Sequence, residues 1–422
     1  MKASIEQALK DFKQGKMLIV VDDEDRENEG DLVMAAQWIT PEAINFMASH
    51  GKGMICAPLT SDKAKELDLP QMIQQNTSAH YTAFTVTVDA AKGTSTGISA
   101  ADRALTLREL ASSQDANDFV RPGHIFPLIA KDGGVLVRPG HTEAAVDLCR
   151  LSELNPVGVI CEIMNSDGTM ARMNDLEKFA IEHQLKIITI KDLIKYRVRT
   201  ERLIQADVSV PLPTEFGQFQ MTHFSFTEGE EEHIALTMGL NEVGQKSKKT
   251  EDDSILTRVH SACFTGDIFS SKRCDCGEQL KESLRMIAQR KKGILIYLNQ
   301  EGRGIGLLNK LKSYQLQDQG MDTVSANLSL GLPVDNRNYH FAYQVLKYFN
   351  IQQVELITNN PEKIKGLEEM GLKVRRVASQ THIHSENSFY LKTKKQKLNH
   401  LLDLQPEIKM AEEDNGLNKS RH

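Results

Sequence analysis

The sequence predicts a two-domain protein of the α/β (α+β) class, with one mixed α/β domain in each half, and three observations carry that expectation. At 422 residues the chain exceeds the size at which a single core stops growing, so two domains of about 200 residues each are expected. Short apolar, β-branched runs alternate with stretches of helical spacing in both halves, the pattern of sheets with helices between their strands. Two clusters of chemistry-bearing residues lie far apart: an acidic loop around Glu27, and three cysteines, Cys263, Cys274 and Cys276.

The totals exclude several classes. A hydrophobic share of 40% and a charged share of 26% belong to a globular chain able to bury two cores. A net charge of −6 and a sequence pI near 6.1 give no global attraction to nucleic acid or an anionic membrane. Anionic ligands must then be held by local arginine, lysine and metal. No run approaches the roughly 18 consecutive apolar residues of a membrane span, and the N-terminus lacks a signal peptide's apolar core. Six cysteines in a chain this long do not form a secreted disulfide framework. The expectation is a cytoplasmic protein with no nucleic-acid or membrane partner.

In order along the first half, residues 1–11 form an amphipathic helix and residues 17–21 a buried strand. That strand ends in Asp22, Asp23, Glu24, Asp25, Glu27, Glu29 and Asp31, interrupted by Arg26 and relieved by Gly30. Carboxylates so crowded destabilise a loop unless cations neutralise them, and hard divalent ions prefer such oxygens. A solvated acidic turn is the plainer alternative. Residues 41–50 have helical spacing, 54–58 read as a strand with Cys56 as a core thiol, 84–88 alternate as a strand, and 100–111 have helix composition. The loop 94–103 is either a phosphate site at a helix N-terminus with Arg103 or a capped helix start. His124 follows the turn signal Arg121-Pro122-Gly123, where a lone histidine is usually structural. Glu162 lies inside the apolar strand 157–164, where an unpaired carboxylate is expensive and a raised pKa suits proton transfer at carbon. A strand over 185–190 and a short helix through Tyr196 close the domain.

Residues 197–217 shift from charged to proline-punctuated, which places the boundary near 199–205. The expected domains are 1–200 and 201–402, followed by a polar tail, 403–422, whose composition does not favour folding. Residues 246–253 are a polar loop.

The second half is organised by its cysteines, which stand just before a helix carrying Leu280, Leu284 and Ile287 on one face and stopping at Gly293. Three thiolates hold zinc and leave a fourth position where bound water loses a proton near pH 7. A redox pair or buried thiols are the alternative. Residues 294–298 form a buried strand that empties into Gln300-Glu301-Gly302-Arg303-Gly304-Ile305-Gly306, a strand-loop-helix layout suited to phosphate. Tyr314 lies on the next helix, where core-edge packing would also explain it. Asp335 reads as a cap in a turn before Arg337. A strand over 354–358 and a helix opened by Asn359-Asn360-Pro361 follow.

These motifs resemble two families. The run Asp22 to Asp31 and the run Arg138-Pro139-Gly140-His141-Thr142-Glu143-Ala144 are similar to the signature loops of 3,4-dihydroxy-2-butanone 4-phosphate synthase, over roughly residues 5–200. That resemblance implies that Glu27 and His141 hold a pair of magnesium or manganese ions. It also implies that Arg26, Glu27, Asp31, Arg138 and Thr142 bind ribulose 5-phosphate, and that His124 and Glu162, with Asp31, move protons. The cysteine stretch, with the motifs around Glu301, Tyr314, Arg337 and Thr358, resembles GTP cyclohydrolase II over about residues 205–402. There the resemblance implies zinc on Cys263, Cys274 and Cys276, and magnesium-bound GTP against Arg258, Gln279, Glu301, Arg303, Thr323, Thr358 and Lys363. It implies a catalytic Tyr314, and Arg337 attacking the α-phosphate with Asp335 as proton acceptor. Guanidinium is almost always protonated, so electrostatic stabilisation by Arg337 is the milder alternative.

The whole implied is a fusion of the two families, a homodimer that makes both starting intermediates of riboflavin synthesis and releases formate in each reaction. One departure stands out: Ala262 replaces the glutamate of the family's Arg-Val-His-Ser-Glu-Cys motif. Loss of a carboxylate beside a metal ligand weakens affinity or activity by about 10- to 100-fold. Two alternatives follow, an active synthase joined to a weakened or non-catalytic GTP-binding domain, and a zinc-stabilised GTP sensor. His382 and His384 are expected at the surface rather than as ligands.

Overall fold

A computed structural model of the chain describes residues 2–227, 232–240, 254–380 and 383–402. The loop 246–253, His382 and the tail 403–422 singled out above lie outside the described residues. The chain divides into two compact units, Met1–Thr200 and Glu201–His422.

The first unit is a seven-stranded mixed sheet in the order β4-β5-β3-β6-β2-β1-β7. Its strands are β1 (Leu18–Val21), β2 (Gly30–Ala35), β3 (Cys56–Leu59), β4 (Val88–Ala90), β5 (Phe119–Ile129), β6 (Gly158–Glu162) and β7 (Lys186–Thr189). Its helices are α1 (Ile5–Lys13), α2 (Pro41–Phe46), α3 (Ser61–Glu66), α4 (Ala100–Ser112), α5 (His141–Leu151), α6 (Met173–Glu182) and α7 (Ile190–Thr200). Both faces of the sheet are covered, which is why β1 is apolar at every position. Leu18 and Val20 pack with Phe12 of α1 and Leu148 of α5, whereas Ile19 and Val21 pack with Leu107 of α4 and Leu176 of α6. Fully burying each such side chain contributes about 1.5–3 kcal/mol. β1 and β2 run antiparallel with Val20 opposite Asp31, and β2 and β6 run antiparallel with Asp31 opposite Glu162. Register thus sets two of the expected proton-transfer acids face to face.

Three expectations are corrected here. The Arg121-Pro122-Gly123 signal makes no turn but lies inside the eleven-residue strand β5. Gly123 passes so near β4 that a β-carbon there would stand 2.0 Å from the Val88 carbonyl carbon. The alternation at 84–88 gives only isolated bridges at Phe84 and Thr85, and β4 begins at Val88. Its partner is the reason: the Thr85 amide donates to Pro127 O, and Pro127 has no N–H to return the bond. The closing helix runs on to Thr200, because Arg197 is buried against Asp147 and the Gly133 carbonyl.

The second unit is another seven-stranded sheet, in the order β14-β13-β11-β12-β10-β9-β8. Its strands are β8 (Ile204–Thr214), β9 (Gly217–Phe226), β10 (Glu232–Met238), β11 (Ile255–Ser261), β12 (Gly293–Leu298), β13 (Gln353–Ile357) and β14 (Lys373–Val377). The helices are α8 (Phe264–Asp267), α9 (Cys276–Arg290), α10 (Gly306–Asp318), α11 (Thr323–Ser329), α12 (His340–Tyr348), α13 (Pro361–Glu369) and α14 (Ser388–Lys397). The proline-punctuated stretch after residue 203 is itself strand: Pro211 and Pro213 sit on β8, the outermost strand, where a missing N–H leaves no ladder bond unmade. β11, β12, β13 and β14 are parallel to their neighbours within this group, with helices in the crossovers. Leu256, Leu295 and Ile357 pack on Leu284 and Ile287 of α9. On α12, Phe341 meets the His233 ring at 3.9 Å and Tyr348 meets Phe224 at 5.1 Å. The carboxyl ends of β11, β12 and β13 therefore open side by side, the place where parallel α/β sheets hold ligands.

Candidate active sites

In the first unit the acidic loop is folded around one of its own carboxylates. Asp22 accepts the amides of Glu27 at 3.2 Å and Glu29 at 2.8 Å and the Arg26 guanidinium at 2.8 Å. This curls the loop so that Glu27 lies over His141, the first residue of α5. Asp22, Glu27 and His141 each offer a ligand atom within 4.8 Å of the others. Both Asp22 oxygens are already engaged, so Glu27 and His141 have the capacity for an ion, while Asp22 supports the loop. Asp31 stands 4.0 Å from His141 Nδ1, and its buried Oδ1 has no hydrogen-bond partner. A buried acceptor left open beside an imidazole and a carboxylate suits a hard divalent cation.

The electrostatics are strongly coupled. Burial, reinforced by Glu162 and Glu27 and opposed by His141, pushes Asp31 up to about 7. Burial pulls His141 down, but Asp31, Glu27 and Asp22 outweigh it and bring it to about 9. Its interaction with His141 holds Glu27 at about 2. A bound divalent ion would compete with those protons, so binding it releases acid.

Arg138 bonds Glu143 at 2.6 Å and Thr82 Oγ1 at 3.1 Å. A β-carbon at Gly140 would lie 2.6 Å from an Arg138 nitrogen and 3.1 Å from an Arg26 nitrogen, so two guanidiniums converge where α5 begins. Thr142 is buried in that first turn. Glu162 accepts the Met54 amide at 2.8 Å. His124 lies on β5, its Nδ1 2.7 Å from Asp89 of β4. Cys56 is buried as expected, and burial with the nearby Glu162 raises its thiol pKa. The start of α4 is a capped one, Ser99 accepting the Asp102 amide at 3.1 Å.

In the second unit Cys263 follows β11, Cys274 precedes α9 and Cys276 opens it. All six cysteines are free. The three sulfurs lie within 4.8 Å of one another, with Cys263 and Cys274 at 3.6 Å. Tetrahedral thiolates around zinc stand about 3.8 Å apart, so the trio fits such an ion. Cys274, Cys276 and Lys310 hold the Cys263 thiol far below its ordinary value, while Cys263 pushes Cys274 up to about 11.

The sulfurs line a cleft of about 1160 Å³, part of it open to solvent, which also receives Arg258, Gln279, Glu301, Arg303, Thr323, Tyr314, Arg337, Thr358 and Lys363. Arg258 lies on β11, Glu301 and Arg303 follow β12, Thr358 follows β13, and Gln279, Tyr314, Thr323 and Lys363 come from α9, α10, α11 and α13, whereas Arg337 lies in the segment before α12. Arg258, on β11, donates to Gln279 at 2.7 Å and to Ile357 O at 2.9 Å. After β12, Gly302, Arg303 and Gly304 all take positive φ. A β-carbon at Gly304 would stand 2.9 Å from Asn336 O, so this glycine lets the loop press against the segment carrying Arg337. Thr358 follows β13, and Lys363 Nζ donates to Val259 O at 2.7 Å. Asp335 caps no helix, contrary to expectation, since α12 starts at His340. Its carboxylate instead accepts Arg337 N at 3.1 Å and Nε at 2.8 Å. Ala262 places only a methyl in the cleft. His384 is half-buried on Glu278 at 2.8 Å and, among the described residues, is not part of the cysteine group.

The sequence reading gave no role to several contributors. Lys310 reaches Cys263, and Lys394 of α14 is buried on Asp275 at 2.9 Å, between two of the cysteines. Tyr390 and His400 line the same cleft. A lysine inside a helix carries no local mark of a partner 47 or 119 residues away.

Comparison with known proteins agrees with this division. A family model described as 3,4-dihydroxy-2-butanone 4-phosphate synthase matches residues 6–196, and one described as GTP cyclohydrolase II matches residues 205–379. The chain is similar to a riboflavin biosynthesis protein of Bacillus cytotoxicus, 53% identical over 402 residues, covering 95% of this chain and 99% of that one. Another such protein, from Bacillus velezensis, is 52% identical over 400 residues, covering 94% and 98%. Among solved structures it resembles a two-domain 3,4-dihydroxy-2-butanone 4-phosphate synthase from A. baumannii, 33% identical with a TM-score of 0.68, covering 90% of this chain and 100% of that one.

Proposed function

We propose residue roles for a chain that belongs to the riboflavin-biosynthesis family in which a 3,4-dihydroxy-2-butanone 4-phosphate synthase is joined to a GTP cyclohydrolase II. It is a bifunctional enzyme, lyase and hydrolase. The first reaction turns ribulose 5-phosphate into 3,4-dihydroxy-2-butanone 4-phosphate and formate. The second turns GTP into 2,5-diamino-6-(5-phosphoribosylamino)pyrimidin-4-one, formate and pyrophosphate. Nothing favours a non-catalytic second unit.

In the synthase site Arg26 and Arg138 hold the sugar phosphate where they converge at the start of α5, with Thr142 in the same turn. Glu27 and His141 hold magnesium or manganese, which supplies charge stabilisation for the enediol-like anions of the reaction. Asp31, near neutrality and opposite Glu162 on the neighbouring strand, takes and returns protons at carbon; Glu162 shares that work. His124, oriented by Asp89, moves protons with them.

In the cyclohydrolase site Cys263, Cys274 and Cys276 hold zinc, which supplies Lewis-acid activation of water. Arg258, Arg303 and Lys363 surround the magnesium-bound triphosphate, while Gln279, Glu301, Thr323 and Thr358 orient the nucleotide. Tyr314, pushed up to about 12 chiefly by burial, stays protonated and donates its O–H. Arg337 is locked to Asp335 and its pKa is raised further. A guanidinium so held supports charge stabilisation at the α-phosphate rather than attack. A cytoplasmic homodimer completes the reading; exposed Met72, Ile73 and Tyr81 supply apolar surface for a partner copy. Sedimentation of the purified chain tests that assembly.

The observation that carries this division is that the described residues hold two metal-capable clusters, one in each unit. Formate release by Cys274→Ser and Glu27→Gln tests it. Cys274→Ser should lose on the order of 10³-fold of GTP turnover and keep the sugar reaction, with Glu27→Gln doing the reverse. Full activity of either variant on both substrates would overturn the roles.

A further inference from the structure

Lys310 lies inside the first turns of α10, almost wholly buried, in a cleft already rich in arginine and lysine. Burying an ammonium is expensive unless it is paired, and here it has two partners. Its Nζ stands 3.1 Å from Cys263 Sγ and 2.7 Å from Glu301 Oε1. The second carboxylate oxygen of Glu301 accepts the amide of Phe264 at 2.5 Å. Cys263 is thus bracketed, an ammonium on its sulfur and, through Glu301, a tie on the residue after it. The Tyr314 ring, with its centroid 5.8 Å from Nζ, closes a further side.

The charges explain why a cation belongs there. Three thiolates around a divalent ion sum to one net negative charge, and in a low-dielectric cleft an adjacent ammonium offsets it strongly. An N–H donor on a thiolate also withdraws electron density from the sulfur, which leaves more positive character on the ion it holds. Pairing with Glu301 alone would not require Nζ to lie on the sulfur as well.

We propose that Lys310 is a positioning residue of the cyclohydrolase site that fixes Cys263 and tunes its thiolate through the N–H···S bond, so that both the hold on zinc and the ion's polarising power depend on it. The inference rests on the zinc reading given above. It adds a residue to the metal's surroundings and leaves the ligand set unchanged.

The test uses the full chain, stripped of metal and reloaded with cobalt(II), whose thiolate-to-metal charge-transfer band reports electron density on sulfur. Zinc affinity is measured in parallel by competition with a chromophoric chelator. Lys310→Met should move the band to lower energy and weaken zinc binding by about 10-fold or more, and Lys310→Arg should restore most of both. If the methionine variant does not fold, Lys310→Gln carries the test, because it keeps an N–H donor and loses the charge; a smaller shift in the same direction is expected. A band at the parent position in the folded variant overturns the role of Lys310. A parent chain with no thiolate band overturns the zinc reading itself, so the two failures are distinguishable.

Discussion

A methyl group added at Gly97 would stand 2.0 Å from Asp89 Oδ2 and 2.5 Å from His124 Nδ1, on a backbone whose φ of +90° disfavours any side chain. Gly97→Ala should therefore separate His124 from Asp89, lower the sugar reaction by roughly 10-fold and destabilise the unit by about 1–3 kcal/mol. Steady-state rates and a thermal melt check this; parent-like values of both would show that the pair does not matter. Residues of this kind divide into those visible in the sequence and those that are not. Cys274 and Cys276 announce themselves because two thiols and a helix start fall within three positions. Glu27 is picked out of its acidic loop only by the family resemblance, since the loop's charge alone also fits a solvated turn. Asp89 and Lys310 were invisible, since neither belongs to a motif and each matters only through a partner that the fold delivers. Asp335 was misread as a cap because an Asx-type turn and a helix N-cap use the same residue in the same local pattern.

Elements are tied to one another by buried charge as well as by apolar packing. Glu355 on β13 accepts from Ser254 at 2.8 Å and Arg290 of α9 at 2.5 Å, and pairs with Arg375 of β14. Burial raises its pKa, but these hydrogen bonds prevail and hold it at about 2. Because the folded value lies below the ordinary one, the stability it confers is present above about pH 4.5 and fades as pH falls toward 2. Urea melts of the parent and Glu355→Gln should differ at pH 7 and converge near pH 2; a constant difference would contradict the assignment. Element type was legible where the apolar pattern was strong, as in the continuous apolar run of β1 and the helical spacing of α9. It was not where turn residues were recruited into strands. Gly123 sits in β5 because the neighbouring backbone leaves no room for a side chain. Pro211 and Pro213 sit in β8 because an outermost strand tolerates them. Both facts belong to the sheet as a whole and leave no trace in a local window.

At the scale of the whole molecule, each unit carries its own core and its own cluster of metal-capable side chains, and the two clusters differ in hardness. A soft-ligand zinc chelator such as dithiocarbamate should abolish formate release from GTP and leave the sugar reaction within about 2-fold, provided magnesium is kept in excess. Equal loss of both reactions would mean that the ligand sets had been assigned to the wrong chemistry. The second cleft has one more property, seen in its walls. They are gathered from Arg258 on β11 as far as His400 and Leu402, the last described residue. A ribosome releases the synthase unit complete long before the nucleotide cleft has its final side. A messenger cut short anywhere between the two would yield a half-enzyme able to consume sugar phosphate but not GTP.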